Sequence, residues 1–472
     1  MYFIYSVLIG LAALVLAPYW LIQGLRHGKY FSNLGERLGF SSPSLQKTAG
    51  LHGTIWVHAV SVGEVLSGVT LAKRLKEAYP ERSLIISTTT ITGQTLARER
   101  MPFADAVIYF PLDWAFSVKR VLNVVNPALV IILETEIWPT FLRQTRQRGI
   151  PVIFVSGRIS DRSFARYQNY LRRIGFFLRP FLKRVLSDPT LWLMQSEKDA
   201  QRIRDLGAPA DRVRASGNMK YDLELPPPTA LSVWLQEESR RAGHSPIIVA
   251  GSVVATEEPL ALIAFGMLQG EYPNAFLVLA PRKPERFEAA AEFIHESRRK
   301  FVRRSQLRIE NAVPQHATGW DGSSASGVSD APDANVIPKD VTVLLLDSIG
   351  ELASLYGCAD GVFVGGSLVP SGGHNILEPA AFGKIPVFGP SMENFSEIAA
   401  RFLSADAAVQ VESPEDAGVA WIEFFRQPER MQAMSEKARS LVEDNRGATG
   451  RALSEIATLL KARSASTPSE SD

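Results

Sequence analysis

The sequence predicts an α/β protein: two doubly wound, Rossmann-like domains facing a cleft, behind an N-terminal transmembrane helix. Three observations predict this. Short β-branched and leucine-rich runs alternate with helix-sized amphipathic stretches from Thr54 onward. The run Leu225-Pro226-Pro227-Pro228 breaks that alternation midway, because proline cannot continue regular structure. Residues 2–25 carry no Asp, Glu, Lys or Arg. Composition sets the outer limits. At roughly 150 residues per domain, 472 residues allow two or three domains. A hydrophobic share of 46% with 21% charged residues excludes wholesale disorder. Lys+Arg 51 against Asp+Glu 49, a net charge of +2, gives no general affinity for nucleic acid. Cys358 is the one cysteine, so disulfide frameworks and Cys-rich metal sites are excluded; its apolar surroundings predict a buried, inert thiol.

The first element is the anchor, over residues 1–25. About 20 apolar residues cross a hydrocarbon core. Tyr2, Tyr5, Tyr19 and Trp20 lie near the two ends, where amphipathic rings favour the interface. Arg26, Lys29 and Arg37 follow, and no basic residue precedes the segment. The positive-inside bias therefore predicts a single-pass anchor with everything after it in the cytoplasm. A cleaved signal peptide is the alternative, and the missing basic n-region argues against it. Residues 26–50 form a juxtamembrane linker.

The first domain runs over 51–225, with strands at Thr54–Ala59, Leu84–Ser87, Leu129–Leu133, Val152–Val155 and Leu191–Met194. The second runs over 226–463, with strands at Ile247–Ala250, Ala275–Leu279, Val341–Leu346, Gly361–Val364 and Ile385–Phe388. Near-continuous apolar runs are what parallel strands covered on both faces require. The Gly- and Ser-rich stretch 317–333 reads as a flexible insertion, and 464–472 as a disordered tail.

Ligands in such sheets bind beyond the carboxyl ends of strands, so chemistry is sought there. Glu64 follows the first strand; Ser61-x-x-Glu64 fits a capping box, and spacing alone favours that structural role. His58 sits inside the strand pattern as a core residue. Glu134 and Glu136 close the third strand and point to opposite faces if it continues, one toward the cleft and one capping the next helix. Ser156-Gly157-Arg158 and Gly217-Asn218-Met219-Lys220 bring positive charge to the same rim. In the second domain Pro281-Arg282, Ser348-Ile349-Gly350-Glu351 and the glycine-rich bend Gly365-Gly366-Ser367…Gly372-Gly373-His374-Asn375-Ile376-Leu377-Glu378 stand at strand ends. Four glycines allow close backbone approach, and a helix starting near Asn375 would aim N–H groups at a phosphate. This is neither a Walker loop nor a G-x-G-x-x-G fingerprint. Finally, residues 162–186 hold Arg162, Arg166, Arg172, Arg173, Arg179, Lys183 and Arg184, with aromatic and aliphatic residues interleaved and no acid. Behind an anchor, such a stretch is expected to lie on an anionic leaflet, with Gly175 and Pro180 breaking the helix.

Taken in order, Trp56-Val57-His58-Ala59-Val60-Ser61-Val62-Gly63-Glu64, Glu134-Thr135-Glu136-Ile137-Trp138-Pro139, Ser156-Gly157-Arg158, Gly217–Asp222, Pro281-Arg282 and Gly365–Pro379 resemble the 3-deoxy-D-manno-octulosonic acid (Kdo) transferases of lipopolysaccharide synthesis. The resemblance implies a GT-B glycosyltransferase with an acceptor-binding N-terminal domain and a CMP-sugar-binding C-terminal domain. It implies transfer of Kdo from CMP-Kdo to the lipid A precursor, lipid IVA, at the cytoplasmic face of the inner membrane. Attack from the face opposite the phosphate would invert the anomeric centre, and the lack of a D-x-D pair fits a reaction with neither metal nor cofactor. Glu64 then looks like the proton acceptor, against the spacing argument, and Glu134 and Lys220 like transition-state stabilisers. Pro281, Arg282, Ile349, Gly350, Glu351, Asn375, Ile376, Leu377 and Glu378 resemble CMP-binding residues. The alternatives are a GT-B enzyme using a UDP-sugar on another membrane lipid, and an anchored nucleotide-binding scaffold.

Overall fold

The computed structural model describes residues 2, 4–7, 9–11, 14–15, 33–40, 42–48, 50–51, 53–309 and 336–466. They fall into two compact units, Met1–Asp222 with Asn445–Asp472, and Leu223–Asp444.

The first unit is built on a parallel sheet of β1 (Ile55–His58), β2 (Leu84–Thr88), β3 (Ala106–Tyr109), β4 (Leu129–Leu133), β5 (Val152–Gly157), β6 (Leu191–Met194) and β7 (Val213–Ala215). Their spatial order is β3-β2-β1-β4-β5-β6-β7. Every residue of β1, β2, β4, β5 and β6 is buried, which explains why β4 and β6 are apolar throughout and the other three are apolar except at their carboxyl ends. Successive side chains serve opposite faces: Trp56, Ile132 and Phe154 enter one core, while Ile55, Val57, Ile131 and Ile153 enter the other.

The second unit repeats the plan with β8 (Ile247–Val253), β9 (Phe276–Pro281), β10 (Lys300–Arg303), β11 (Val341–Leu345), β12 (Gly361–Val364), β13 (Pro386–Phe388) and β14 (Val409–Gln410). Their order is β10-β11-β9-β8-β12-β13-β14. Both sheets reverse their winding once, between β1 and β4 in the first and between β8 and β12 in the second. At such a switch point the chains leaving two neighbouring strands turn to opposite faces and open a crevice.

The strands at the four sheet edges, β3, β7, β10 and β14, are the ones the sequence reading omits. An edge strand has one neighbour and an open flank, so it needs no continuous apolar run. All four residues of β10 retain exposure, and two of the three in β7 are exposed.

Domain limits also differ from the sequence reading. The helix Ala448–Ser466 packs on the first unit, not the second, through Ala448, Ala452, Ile456 and Leu460, four residues apart on one face. Asp222 fastens its start by accepting from the N–H groups of Gly447 and Thr449, each at 2.5 Å. The helix continues to Ser466, so residues 464–466 are helical where a disordered tail was expected. The insertion at 317–333 and the tail from 467 onward lie outside the described residues, as does most of the 1–25 anchor. Among the described residues no helix is long and apolar enough to cross a membrane.

Candidate active site

In the first unit the predicted residues gather beyond β1 and β4, at the switch point. Ser61 is the N-cap of the helix Val62–Ala78, and Glu64 occupies its third position. The expected capping box is half formed and displaced by one residue. Glu64 Oε2 accepts from the N–H of Val60 at 2.6 Å, but the Ser61 side chain caps no backbone N–H of the helix. Glu64 is only 7% exposed. Burial pushes its carboxyl up to about 8, with Glu134 and Glu136 adding repulsion and the Val60 and Ser61 hydrogen bonds pulling the other way. Burial is the largest of these effects.

Glu134 breaks the strand rather than continuing it. Its φ of 56° is left-handed, and its N–H still bonds to Val155 O at 2.9 Å. Ser156 at the end of β5 and Ser252 near the end of β8 share this conformation, with φ of 58° and 56°. Three non-glycine residues in a costly backbone state at strand ends mark where the fold yields to a site. Lys220 Nζ lies 3.6 Å from Glu134 Oε1. Lys220 is positioned by a single turn, Met219–Tyr221, whose N-cap Asn218 accepts from the Lys220 N–H at 2.9 Å. Neither Glu134 nor Glu136 caps the next helix, Pro139–Gln147. Asp113 does, accepting from the N–H groups of Thr140 and Phe141 at 3.0 and 2.8 Å. Burial also raises Glu136, with Glu134 adding to it. His58 is a core residue, fully buried, stacked on Phe110 at 3.9 Å and bonded to Ser87 Oγ at 2.9 Å.

In the second unit the glycine-rich bend follows β12 and faces the turn after β8. The first N–H groups of the bend are occupied by a buried carboxylate. Glu257, with no exposed surface, accepts from Gly366, Ser367 and Leu368 at 2.5, 2.8 and 2.9 Å, and from Val254 at 3.1 Å. Its carboxylate stands where an anion would stand in a phosphate loop. Gly365 is required by contact: a Cβ there would meet Ser252 O at 2.5 Å and Val253 Cα at 2.6 Å. The helix predicted from Asn375 begins at Leu377 and ends at Ala381, and its leading N–H already bonds to Asn375 Oδ1 at 3.1 Å. So short a helix offers no phosphate a dipole; what remains is a cluster of side chains. Asn375 donates to Glu378 Oε1 at 3.2 Å. Burial raises the Glu378 carboxyl, which Asn375 and Arg282 partly offset, and burial with Arg282 nearby pushes the His374 imidazole down to about 4. Pro281 ends β9 in the interior and Arg282 stands exposed just after it.

Glu351 is placed differently from expectation. Its carboxylate is held by Arg304, through Nε at 3.1 and 3.0 Å and Nη2 at 3.0 Å, with both side chains 7% exposed, and by the Ser348 hydroxyl. It shapes the segment and leaves Ile349 and Gly350 as its outward face. Cys358 is buried as predicted, its thiol pushed up to about 11.

Sequence reasoning missed Glu257, Arg304 and Asp113. A signal for the first existed: in each half a carboxylate stands just past the first strand, Glu64 after β1 and Glu257 after β8.

Residues 32–223 match a protein family described as 3-deoxy-D-manno-octulosonic-acid transferase. A 3-deoxy-D-manno-octulosonic acid transferase of Haemophilus influenzae is 32% identical over 443 residues, covering 92% of each chain. One from Bordetella pertussis is 30% identical over 431 residues, covering 88% of this chain and 89% of its own. Among solved structures, a putative UDP-N-acetylglucosamine 2-epimerase from Listeria monocytogenes superposes with a TM-score of 0.51 at 11% identity. It covers 89% of this chain and 99% of its own, and shares the fold alone.

Proposed function

The chain belongs to the 3-deoxy-D-manno-octulosonic acid transferases, and from that premise we propose that it moves Kdo from CMP-Kdo to lipid IVA at the cytoplasmic face of the inner membrane, with inversion. The observation that carries the mechanism is the state of Glu64. A carboxyl 7% exposed and poised near 8 holds protons tightly, which is what a general base for an alcohol needs. In its ionised form Glu64 takes the proton of the acceptor's sugar hydroxyl as that oxygen bonds to the anomeric carbon. The bond from that carbon to the phosphate oxygen breaks, and CMP leaves with the electron pair.

Glu134 and Lys220, paired at 3.6 Å, act on the charge that develops in this step. Arg282 serves the nucleotide phosphate, with Asn375 and Glu378 beside it for the ribose. Ile349 and Gly350 contribute through their backbone, because the Glu351 carboxylate is committed to Arg304. The mechanism calls on no metal: side-chain cations meet the leaving charge.

We further propose that the first unit lies against inner-membrane lipids. The helix Asp161–Leu186 breaks at Ile174, and Tyr170, Ile174 and Phe176 are 50%, 56% and 86% exposed among its arginines. The described N-terminal residues join it: the Tyr2 and Tyr5 rings lie 5.5 and 5.7 Å from Phe181. Their hydroxyls bond to Asp188 at 2.6 Å and Asp113 at 2.9 Å. Ile4, Val7 and Leu11 point outward.

Mass spectrometry of lipid IVA after incubation with CMP-Kdo and purified protein tests the reaction, each added Kdo appearing as one mass increment. CMP should inhibit and UDP should not; the reverse would establish a UDP-sugar donor. Flotation with anionic vesicles tests the surface: Phe176→Asp with Ile174→Ser should lower binding, and unchanged flotation would remove that face from the proposal.

A further inference from the structure

The second unit contains a cavity of about 410 Å³ where the chains leaving β8, β9 and β12 meet. Its walls are aliphatic at Val253 and Val369 and cationic at Arg282, Lys283 and Arg286, with Glu285 the single carboxylate. Among the residues proposed for CMP, only Arg282 lines it. The three cations differ in how they are held. Lys283 pairs with Glu285 at 3.5 Å, both side chains about two-thirds exposed, as an ordinary solvated pair. Arg286 donates through Nε to Oε1 of Glu258 at 2.8 Å, and the Glu258 side chain has no exposed surface. One edge of the guanidinium is therefore fixed by a buried carboxylate. Its two Nη groups donate to no described residue. Such a fork matches a planar carboxylate and is ordered before the ligand arrives.

We infer that this cavity receives the carboxylate of the donor's ulosonic sugar and that Arg286 is the residue that recognises it. The inference rests on the CMP-Kdo reading above. In such a donor the anomeric carbon carries two anions, the phosphate ester and the sugar's own carboxylate; a UDP-hexose carries no anion on the sugar. Two guanidiniums lining one cavity, four residues apart in sequence, meet that pair of anions. Arg282 takes the phosphate and Arg286 the carboxylate. Glu258 begins the helix Glu258–Glu271 directly after Glu257, so one turn fixes both the glycine bend and the carboxylate receptor. The carboxylate keeps its charge throughout the reaction. Arg286 therefore binds substrate and transition state alike, making it a specificity residue and not a catalytic one.

The test compares kcat and KM for CMP-Kdo, and the inhibition constant of CMP, in the full chain and its variants. Arg286→Lys keeps the charge and the partner Glu258 but loses the fork; Arg286→Leu with Glu258→Leu removes the pair without stranding a buried charge. The expected result is a KM raised about 10- to 100-fold in the double variant and less in Arg286→Lys. kcat should stay within a few-fold, and CMP inhibition within twofold, in both variants. A parallel loss of CMP affinity overturns this inference alone, as does an unchanged KM. A wild-type protein that CMP does not inhibit overturns the donor reading, and this inference with it.

Discussion

Raising the pH from 6 to 8 tests whether Glu64 is the base. Its carboxyl stands near 8 because it is buried and faces Glu134 and Glu136. A group with that value is ~1% ionised at pH 6 and half ionised at pH 8, so kcat/KM should climb about 50-fold between them. An ordinary carboxyl near 4.5 is already ionised at pH 6 and would give a flat profile over the same range. Stability runs in the opposite direction. Between pH 4.5 and 8 the folded chain holds a proton that the unfolded chain has released, so rising pH removes stability across that window. From 4.5 to about 8, at 1.36 kcal/mol per pH unit, the loss amounts to about 5 kcal/mol. Glu64→Gln keeps the acceptor for Val60 N–H and removes the titration. It should abolish Kdo transfer while raising the urea midpoint at pH 9 more than at pH 5. The assay is radiolabelled transfer from CMP-Kdo at fixed ionic strength, with urea unfolding at the two pH values. A pH-independent kcat/KM between 6 and 8, or a Glu64→Gln variant less stable at pH 9, would refute the reasoning.

Glu257→Ala should destabilise the second unit by ~4 kcal/mol or more in urea unfolding, because four backbone N–H groups lose their acceptor at about 1–3 kcal/mol each. Glu257→Gln should recover part of that, and a cost below ~1 kcal/mol would remove Glu257 as the organiser of the bend. Arg304→Leu strands the buried Glu351 carboxylate and should cost about 3–5 kcal/mol, while adding Glu351→Leu should restore most of it. Lys220→Met should lower kcat ~100-fold or more with CMP inhibition unchanged; an effect confined to KM would show that Lys220 only binds substrate.

Much of this protein was legible in its sequence for a local reason. A strand covered on both faces is apolar at nearly every position, so Leu129–Leu133 and Leu191–Met194 announce themselves without reference to neighbours. The edge strands are freed from that constraint and pass unnoticed. Glycine bends and carboxylates at strand ends are likewise visible in order along the chain, which puts Arg282 and Glu378 among the candidates. Glu64 is visible there too, but spacing favoured a cap and its role came from the family resemblance. The tertiary structure alone decided their chemical state. Whether Glu64 rests ionised depends on burial and on Glu134, seventy residues away, and no spacing rule carries that information. The bend at Gly365 looks open to an anion until the fold brings Glu257, more than a hundred residues earlier, into its N–H groups. The last helix carries an apolar face that any sheet could cover, and only packing assigns it to the first unit. Apolar periodicity is written residue by residue, whereas electrostatic environment and hydrogen-bond partnership belong to groups that meet only when the chain has folded.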